Sequence, residues 1–336
     1  MPAPQKGADP EASGAPRSVP VIMDCDPGHD DAIALVLAHA RPEIEILGVC
    51  TTAGNQTIEK TTLNARKVLE FLDCDAPVAR GSSKPLFREL ITAAAVHGES
   101  GLDGPALPEP RRPESVMSAY ELMTDILENA SEPVTLVPTG ALTNVATLLL
   151  SRPDLKEKIA RISLMGGAAV GGNWTPAAEF NILVDPEAAR VVFSSGLPVV
   201  MCGLDVTHRA LVTLEDIERF RGLGTRTAVM VAELLDFFKK FHEEYFAGFG
   251  GSPLHDPCAV AALVAPEIFT AKKARVDVEC AGALTTGATV VSFAEGVSHG
   301  GAEGRVPADE ANVDVIFDVD REAFMDLIAD ALRNLP

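Results

Sequence analysis

The stretch Val21-Ile22-Met23-Asp24-Cys25-Asp26-Pro27-Gly28-His29-Asp30-Asp31 constrains this chain more than any other. The apolar run from Val19 to Met23 reads as a buried strand of a parallel sheet. It ends in Asp24 and Asp26, turns at Pro27-Gly28 and meets Asp30 and Asp31 before Ala32 to Leu37 continue as a helix. Carboxylates packed this closely repel one another unless a cation sits between them. Asp30 and Asp31 fall in the first helical turn, where the macrodipole favours negative charge. Ligands of α/β folds gather at the carboxyl ends of strands. The segment therefore predicts a hard-cation site with oxygen ligands in a strand-to-helix crevice. The competing reading makes Asp30 a helix cap and the remainder a solvated turn.

The rest of the chain repeats the strand–helix alternation. Ile44 to Thr52 reads as a second strand, Thr57 to Leu72 as an amphipathic helix, and Pro77 to Arg80 as a short third strand. Residues 81–113 form a long Gly- and Pro-bearing connection that is expected to be mobile and includes His97-Gly98-Glu99-Ser100-Gly101. A helix over Ser115 to Asn129 precedes strands at Val134 to Pro138, Ile162 to Met165 and Pro198 to Cys202. Asp185 caps a helix that has Pro186 at its first position. Residues 213–247 read as helices broken near Gly222-Leu223-Gly224, and Leu254-His255-Asp256-Pro257 opens another. The last part is β-like at Ala274 to Ala283, Ala288 to Phe293 and Val313 to Val319, and closes with a helix capped by Asp320. The expected fold is α/β: a single domain over 18–336 whose mostly parallel, mixed central sheet is flanked by helices, with an open active site at the strand C-terminal ends. Residues 1–17, rich in Pro, Ala and Gly, read as a disordered tail, and residues 294–311 as a Gly-rich loop.

Composition narrows the partners. The net charge is −20 and no Lys/Arg block appears, which argues against nucleic acid. No window approaches the roughly 18 consecutive apolar residues of a membrane span, and residues 1–17 lack the apolar core of a signal peptide. The six cysteines form no CxxC pair and read as reduced, mostly buried thiols. These features together predict a cytoplasmic protein.

Several predicted strands end in polar residues that strand propensity would not select: Asp24 and Asp26, Thr52 and Asn55, Thr139 and Asn144, and Asp205. Asn173, Glu179, Asn181, His255 and Asp256 sit on loops or helix starts further along. In a parallel sheet these ends share one edge, where amides that both donate and accept suit sugar hydroxyls. Neither GxxxxGK[ST] nor a strand-following GxGxxG is present, so a nucleotide phosphate is not the obvious ligand.

The segment DCDPGHDDAIAL resembles the N-terminal signature of the inosine–uridine-preferring nucleoside hydrolases. TTAGNQT, HGESGLDGP, VPTGALTNVA, MGG, GNWTPAAEFNILVDPEAA, GLDVTH and LHDPCAVA recur in that family's order, and NVDVIFDVDREAF also fits. The resemblance implies hydrolysis of the N-glycosidic bond of ribonucleosides to ribose and free base, with bound Ca²⁺, by a homodimer or homotetramer. Carried over by position, Asp26, Asp31 and Asp256 match metal carboxylates and Thr139 a metal-binding carbonyl. Asp30, Asn173, Glu179 and Asn181 match ribose-binding positions, and Asn55 another polar pocket residue. Asp26 is the expected general base and His255 the expected acid to the leaving base. His97 is expected against the base or sugar.

Other aromatic and imidazole residues carry less. His29 is not expected to be a ligand, His39 is expected at the surface, and His208 stands between a supporting and a bystander role. His242 and His299 read as solvated, Phe241 as core, and Tyr245 and Trp174 as packing residues that could reach the base. His97 and His255 suit pyrimidine-releasing or broad members over strictly purine-specific ones. Two other classes stay open. A metal-dependent phosphohydrolase could carry DCD at a strand end, although Gly28 stands where that signature wants Thr or Val. A non-catalytic nucleoside- or ribose-binding protein could keep the same pocket.

Overall fold

The computed structural model describes residues 18–245, 250–293 and 311–336, with the backbone alone for 241–245. The expectations for the 1–17 tail, the 294–310 part of the Gly-rich loop, His299, and the side chains of Phe241, His242 and Tyr245 lie outside the described residues.

In chain order the elements are β1 (Val19–Cys25), α1 (His29–Ala40), β2 (Ile44–Thr51), α2 (Ile58–Phe71), β3 (Val78–Arg80), α3 (Ala94–His97), α4 (Ala119–Asn129), β4 (Val134–Pro138), α5 (Thr143–Ser151) and β5 (Ile159–Met165). They continue with α6 (Phe180–Val184), α7 (Pro186–Phe193), β6 (Val199–Cys202), α8 (Leu204–Thr207), β7 (Leu211–Val212), α9 (Leu214–Arg221) and α10 (Arg226–Tyr245). The last are β8 (Ser252–Pro253), α11 (Pro257–Val264), β9 (Phe269–Val278), β10 (Thr289–Phe293), β11 (Val313–Val319) and α12 (Arg321–Asn334).

Among the described residues, nine strands form one sheet in the order β10-β9-β11-β6-β5-β4-β1-β2-β3. Strands β1 to β6 and β11 run parallel to their neighbours in that group, whereas β9 is antiparallel to both β10 and β11. The mixed, mostly parallel sheet is as expected. The chain builds outward from β1 through β2 to β3, then crosses back to lay β4 on the other side of β1. This reversal makes the crevice between the carboxyl ends of β1 and β4 the place where a ligand can enter.

β1 lies inside the sheet, between β4 and β2, which explains its unbroken apolar run. Both faces of the strand are covered, so it needs no polar alternation. α1 is buried from His29 to Ala38 and packs on α11 and α12. A helix apolar on all sides belongs in the interior. Its start is fixed by the Asp31 carboxylate, which accepts the Gly28 backbone N–H at 3.0 Å. The opposite face of the sheet is covered by α4, α5 and α7. Ser118 and Glu121 form a capping box on α4, and the Asp185 side chain accepts from Ala188 N ahead of Pro186. Asp320 caps α12 in the same way. All six cysteines are free thiols and five are buried.

Two expectations shift. β9 begins at Phe269, not Ala274, because its first half lies exposed and shows no alternation until Arg275. The connection over residues 81–113 contains α3 and is tethered. Gln56 donates to the carbonyls of Gly98 and Glu99, and Asn64 to that of Ser100. Asp103 accepts from the Glu99 and Ser100 backbone N–H groups. These bonds satisfy the loop backbone locally, so its length does not make it a free flap.

Candidate active site

The crevice above β1 and β4 opens into a cavity of about 330 Å³. Its floor is acidic. Asp30, Asp31 and Asp256 place one carboxylate oxygen each within 4.8 Å of one another, and all three are buried. Asp30 and Asp31 come from the first turn of α1, and Asp256 directly precedes Pro257 at the start of α11. The tight group thus contains Asp30, expected from the resemblance at the ribose, alongside Asp31 and Asp256.

Asp26 stands beside this group, fully buried, with Oδ2 accepting Asn55 N at 2.6 Å. A Cβ at Gly54 would fall 2.1 Å from Asp26 Oδ2, and one at Gly140 2.4 Å from Oδ1. Two glycines therefore clasp this carboxylate, and a methyl group at either would push it away. Asp31 is the best-anchored of the set. Thr139 Oγ1 donates to its Oδ1 at 2.7 Å, and Asn55 Nδ2 joins Gly28 N on its Oδ2. Asp24 turns away from the floor and accepts from Asn144 Nδ2 at 2.8 Å. Asn144 also donates to Thr51 O and accepts from Ser82, so it braces the strand ends from behind. Asp205 is likewise structural: it accepts the Ala169 backbone N–H.

The electrostatics follow from burial. Desolvation pushes Asp24 and Asp30 up to about 7, opposed at Asp24 by the Asn144 bond and reinforced at Asp30 by Asp31. Burial raises Asp26 well above the usual carboxylate range, with the Asp31 charge adding to it. Asp256 is raised well above that range by burial and then by Asp30, Asp31 and Asp26. Asp26 Oδ1 and Asp30 Oδ1 are buried without a hydrogen-bond partner. Buried carboxylate oxygens that face one another without partners are what a divalent cation with oxygen ligands would satisfy. The donor set fits a hard cation: it offers carboxylates, and no thiol or imidazole belongs to the cluster.

The wall beside the floor is built by one short segment. Glu179 caps α6 with its own carboxylate, accepting from Asn181 N, Ile182 N and Gly167 N. Burial raises its pKa against those backbone donors. Asn181 Nδ2 donates to Thr139 O at 2.7 Å, which ties the end of β4 to α6. Asn173 Oδ1 accepts Phe180 N, fixing the loop that leads into α6. Asn173, Glu179 and Asn181 line the cavity with Asn55 and Asp30.

The remaining wall is aromatic and imidazole-bearing. Phe180, Phe238, His97, His208 and His255 line it, and Trp174 packs on Phe180 with ring centres 4.6 Å apart. His255 Nδ1 lies 2.8 Å from Thr207 Oγ1, and its ring meets that of His208 edge-on at 5.8 Å. Burial lowers the His208 pKa, against the pull of Asp205. Sequence reasoning did not place Phe180, Phe238, Met165, Val96 or Pro253 in this wall. Their apolar types read as core, and no local signal marks which core residues face a cavity. No Lys or Arg lines the cavity among the described residues, so nothing there is built to hold a phosphate.

Residues 21–326 match the family model of the inosine-uridine preferring nucleoside hydrolases. The chain belongs to that family. It is an N-ribohydrolase of nucleosides, and the expected resemblance is borne out along nearly its whole length. It is 54% identical over 317 residues to the pyrimidine-specific ribonucleoside hydrolase RihA of Escherichia coli K12, covering 94% of this chain and 99% of the relative. The purine-preferring ribonucleoside hydrolase from Gardnerella vaginalis superposes with a TM-score of 0.85 at 32% identity, over 94% of this chain and 98% of that one. The plant nucleoside hydrolase PpNRh1 gives 0.85 at 31% identity, over 95% and 99%. The hydrolase has no helix among its described residues that is long and apolar enough to cross a membrane.

Proposed function

We propose that this hydrolase is a Ca²⁺-dependent, pyrimidine-preferring ribonucleoside hydrolase. The observation that carries the metal-dependent part is the convergence of the buried Asp30, Asp31 and Asp256, with Asp26 alongside and Asp26 Oδ1 and Asp30 Oδ1 left without a hydrogen-bond partner. The pyrimidine preference is supported by the 54% identity to an enzyme named as pyrimidine-specific, and by a wall of imidazoles with Trp174 as the chain's single tryptophan.

Asp26, Asp31 and Asp256 would hold the ion, with the Thr139 carbonyl. When bound, Ca²⁺ supplies Lewis-acid polarisation of a water and of ribose hydroxyls. The protein's own residues do the rest. Asp30, Asn173, Glu179 and Asn181 bind the ribose hydroxyls and hold C1′ over the acidic floor. Asp26, raised by burial, takes a proton from the attacking water as its oxygen bonds to C1′. The bond from C1′ to the base nitrogen breaks, its electrons leave with the base, and the carboxylates and amide oxygens stabilise the oxocarbenium-like sugar. His255 gives the departing base its proton, and His97 contacts the base. Asn55 holds Asp26 and Asp31 in place. The same reading takes the enzyme as a cytoplasmic homodimer or homotetramer with residues 18–336 as one domain.

A steady-state panel of uridine, cytidine, inosine and adenosine tests this, run after chelation and again with Ca²⁺ restored. Ribose and free base should form fastest from uridine and cytidine and only with the ion present. Tight ribose binding without any product would point instead to a binding protein. A faster reaction with inosine would remove the pyrimidine preference.

A further inference from the structure

His29 has no role in the chemistry above, yet it is fully buried at the edge of the cavity. Its ring stacks face to face on Phe237, with centres 5.1 Å apart and planes 1° from parallel. It also stacks on Phe238 and on His97. A phenyl ring could fill that stack. What it could not supply is the hydrogen bond from Nε2 to the Asp103 carbonyl, at 2.8 Å. A carbonyl only accepts, so His29 Nε2 carries a hydrogen.

The second contact fixes the neighbouring ring. The backbone N–H of His29 donates to His97 Nδ1 at 3.3 Å. A backbone amide has no alternative tautomer, so His97 Nδ1 presents a lone pair and the neutral ring carries its hydrogen on Nε2. The two Nδ1 atoms lie 3.2 Å apart. The opposite arrangement, His97 Nδ1–H donating to His29 Nδ1, would give up the backbone bond and turn the His97 tautomer over, and the spectra below tell the two apart.

We propose that His29 is a positioning residue: its imidazole ties the loop around residues 98–103 to the start of α1 and stacks on His97, and its backbone N–H holds the His97 tautomer, so that His97 offers Nε2–H to a carbonyl or ring nitrogen of the bound base. The contact between His97 and the base rests on the reading of function given above; the tautomer does not.

The test joins spectroscopy to kinetics. In the full-length protein labelled with ¹⁵N-histidine, long-range ¹H–¹⁵N correlations assign His97 by the signals lost in His97→Ala. A pyridine-type Nδ1 with a pyrrole-type Nε2 is expected, and the reverse overturns the proposal. In kinetics, His29→Phe keeps the stack but loses the donor to Asp103. Its kcat/KM for uridine should fall about 10²-fold, the scale of a misplaced contact. A ribofuranoside with a nitrophenolate leaving group departs without a proton from the protein, and its kcat/KM should stay within about threefold. Adding His29→Phe to His97→Ala should cost nothing more. Equal losses on both substrates, or additive losses in the double variant, overturn the proposal. His29→Gln, whose amide can donate to Asp103, should recover most of the uridine activity with the His97 tautomer kept. If His29→Phe does not fold, His29→Leu, which also lacks a donor to Asp103, takes its place and is read on the same two substrates against the same outcomes. A wild type that leaves uridine intact would sink the reading of function while the tautomer result stands.

Discussion

The floor and the aromatic wall of the cavity are built by different means. The floor is assembled from strand ends and helix starts around β1, and Asp26 and Asp31 are held by backbone and side-chain donors on Asn55, Gly28 and Thr139. The wall is assembled from distant parts of the chain: Val96 and His97, Trp174 and Phe180, His208, Phe238, and Pro253 with His255. These are joined by ring stacking and a few hydrogen bonds to loops. The contrast teaches that the acidic floor has little freedom to vary, because moving one carboxylate leaves others buried and unbalanced. The wall can exchange one ring for another and keep the fold, which makes it the natural place for base preference to change.

The largest effect should come from the floor. Asp26→Ala is expected to lower kcat by on the order of 10³-fold or more, with an unchanged circular dichroism spectrum. Unimpaired turnover in that variant would end the assignment of the floor as the reacting centre. In the wall, His255→Phe should lower kcat for uridine by about 10²-fold or more if it supplies the leaving-group proton. The nitrophenyl ribofuranoside should show whether that loss belongs to the leaving group, since it needs no such proton.

Removal of the ion sharpens the contrast in a different observable. Asp24 and Asp30 are raised to about 7, and Asp26 and Asp256 well above the usual carboxylate range, all through burial first. Between the ordinary carboxylate range and about 7, the folded protein then binds protons that the unfolded chain has released. Stability of the ion-free protein should therefore fall as pH rises through that window. Calcium added at 100 times its dissociation constant should contribute about 2.7 kcal/mol, with the apparent affinity higher at pH 8 than at pH 6. Thermal melts at the two pH values, after chelation and with Ca²⁺, read this directly. An ion-free protein that gains stability between pH 6 and 8 would show that the floor ionises without a cation.

The smallest effect should come from Trp174. Its stack on Phe180 is of the kind worth about 0.5–1.5 kcal/mol, so Trp174→Leu should raise KM by roughly 2- to 10-fold with kcat little changed. A loss of kcat instead would place Trp174 closer to the reacting atoms than the wall. The single tryptophan also makes substrate binding visible in its fluorescence.

The elements with strong local signals were legible in advance. β1, β4, the Asp185–Pro186 start of α7 and the Asp320 cap of α12 stand where the residues pointed. β9 was misplaced at its start because exposed lysines there break the alternation that marks a strand. Asp24 and Asn144 count among the polar strand ends in the sequence, and the structure turns them toward each other behind the floor. His29 carried no expected role, since nothing in its neighbours in sequence announces Asp103 or Phe237.

The sequence by itself determined the mostly parallel sheet and the acidic crowd at the end of β1, because periodicity, caps and charge spacing act over a few residues. Only the tertiary structure decided which carboxylates converge, which one is diverted to Asn144, and which rings face the cavity. Those outcomes depend on contacts between segments a hundred or more residues apart, such as Asn144 with Asp24 and Thr139 with Asp31, where packing and desolvation rather than local propensity set the result.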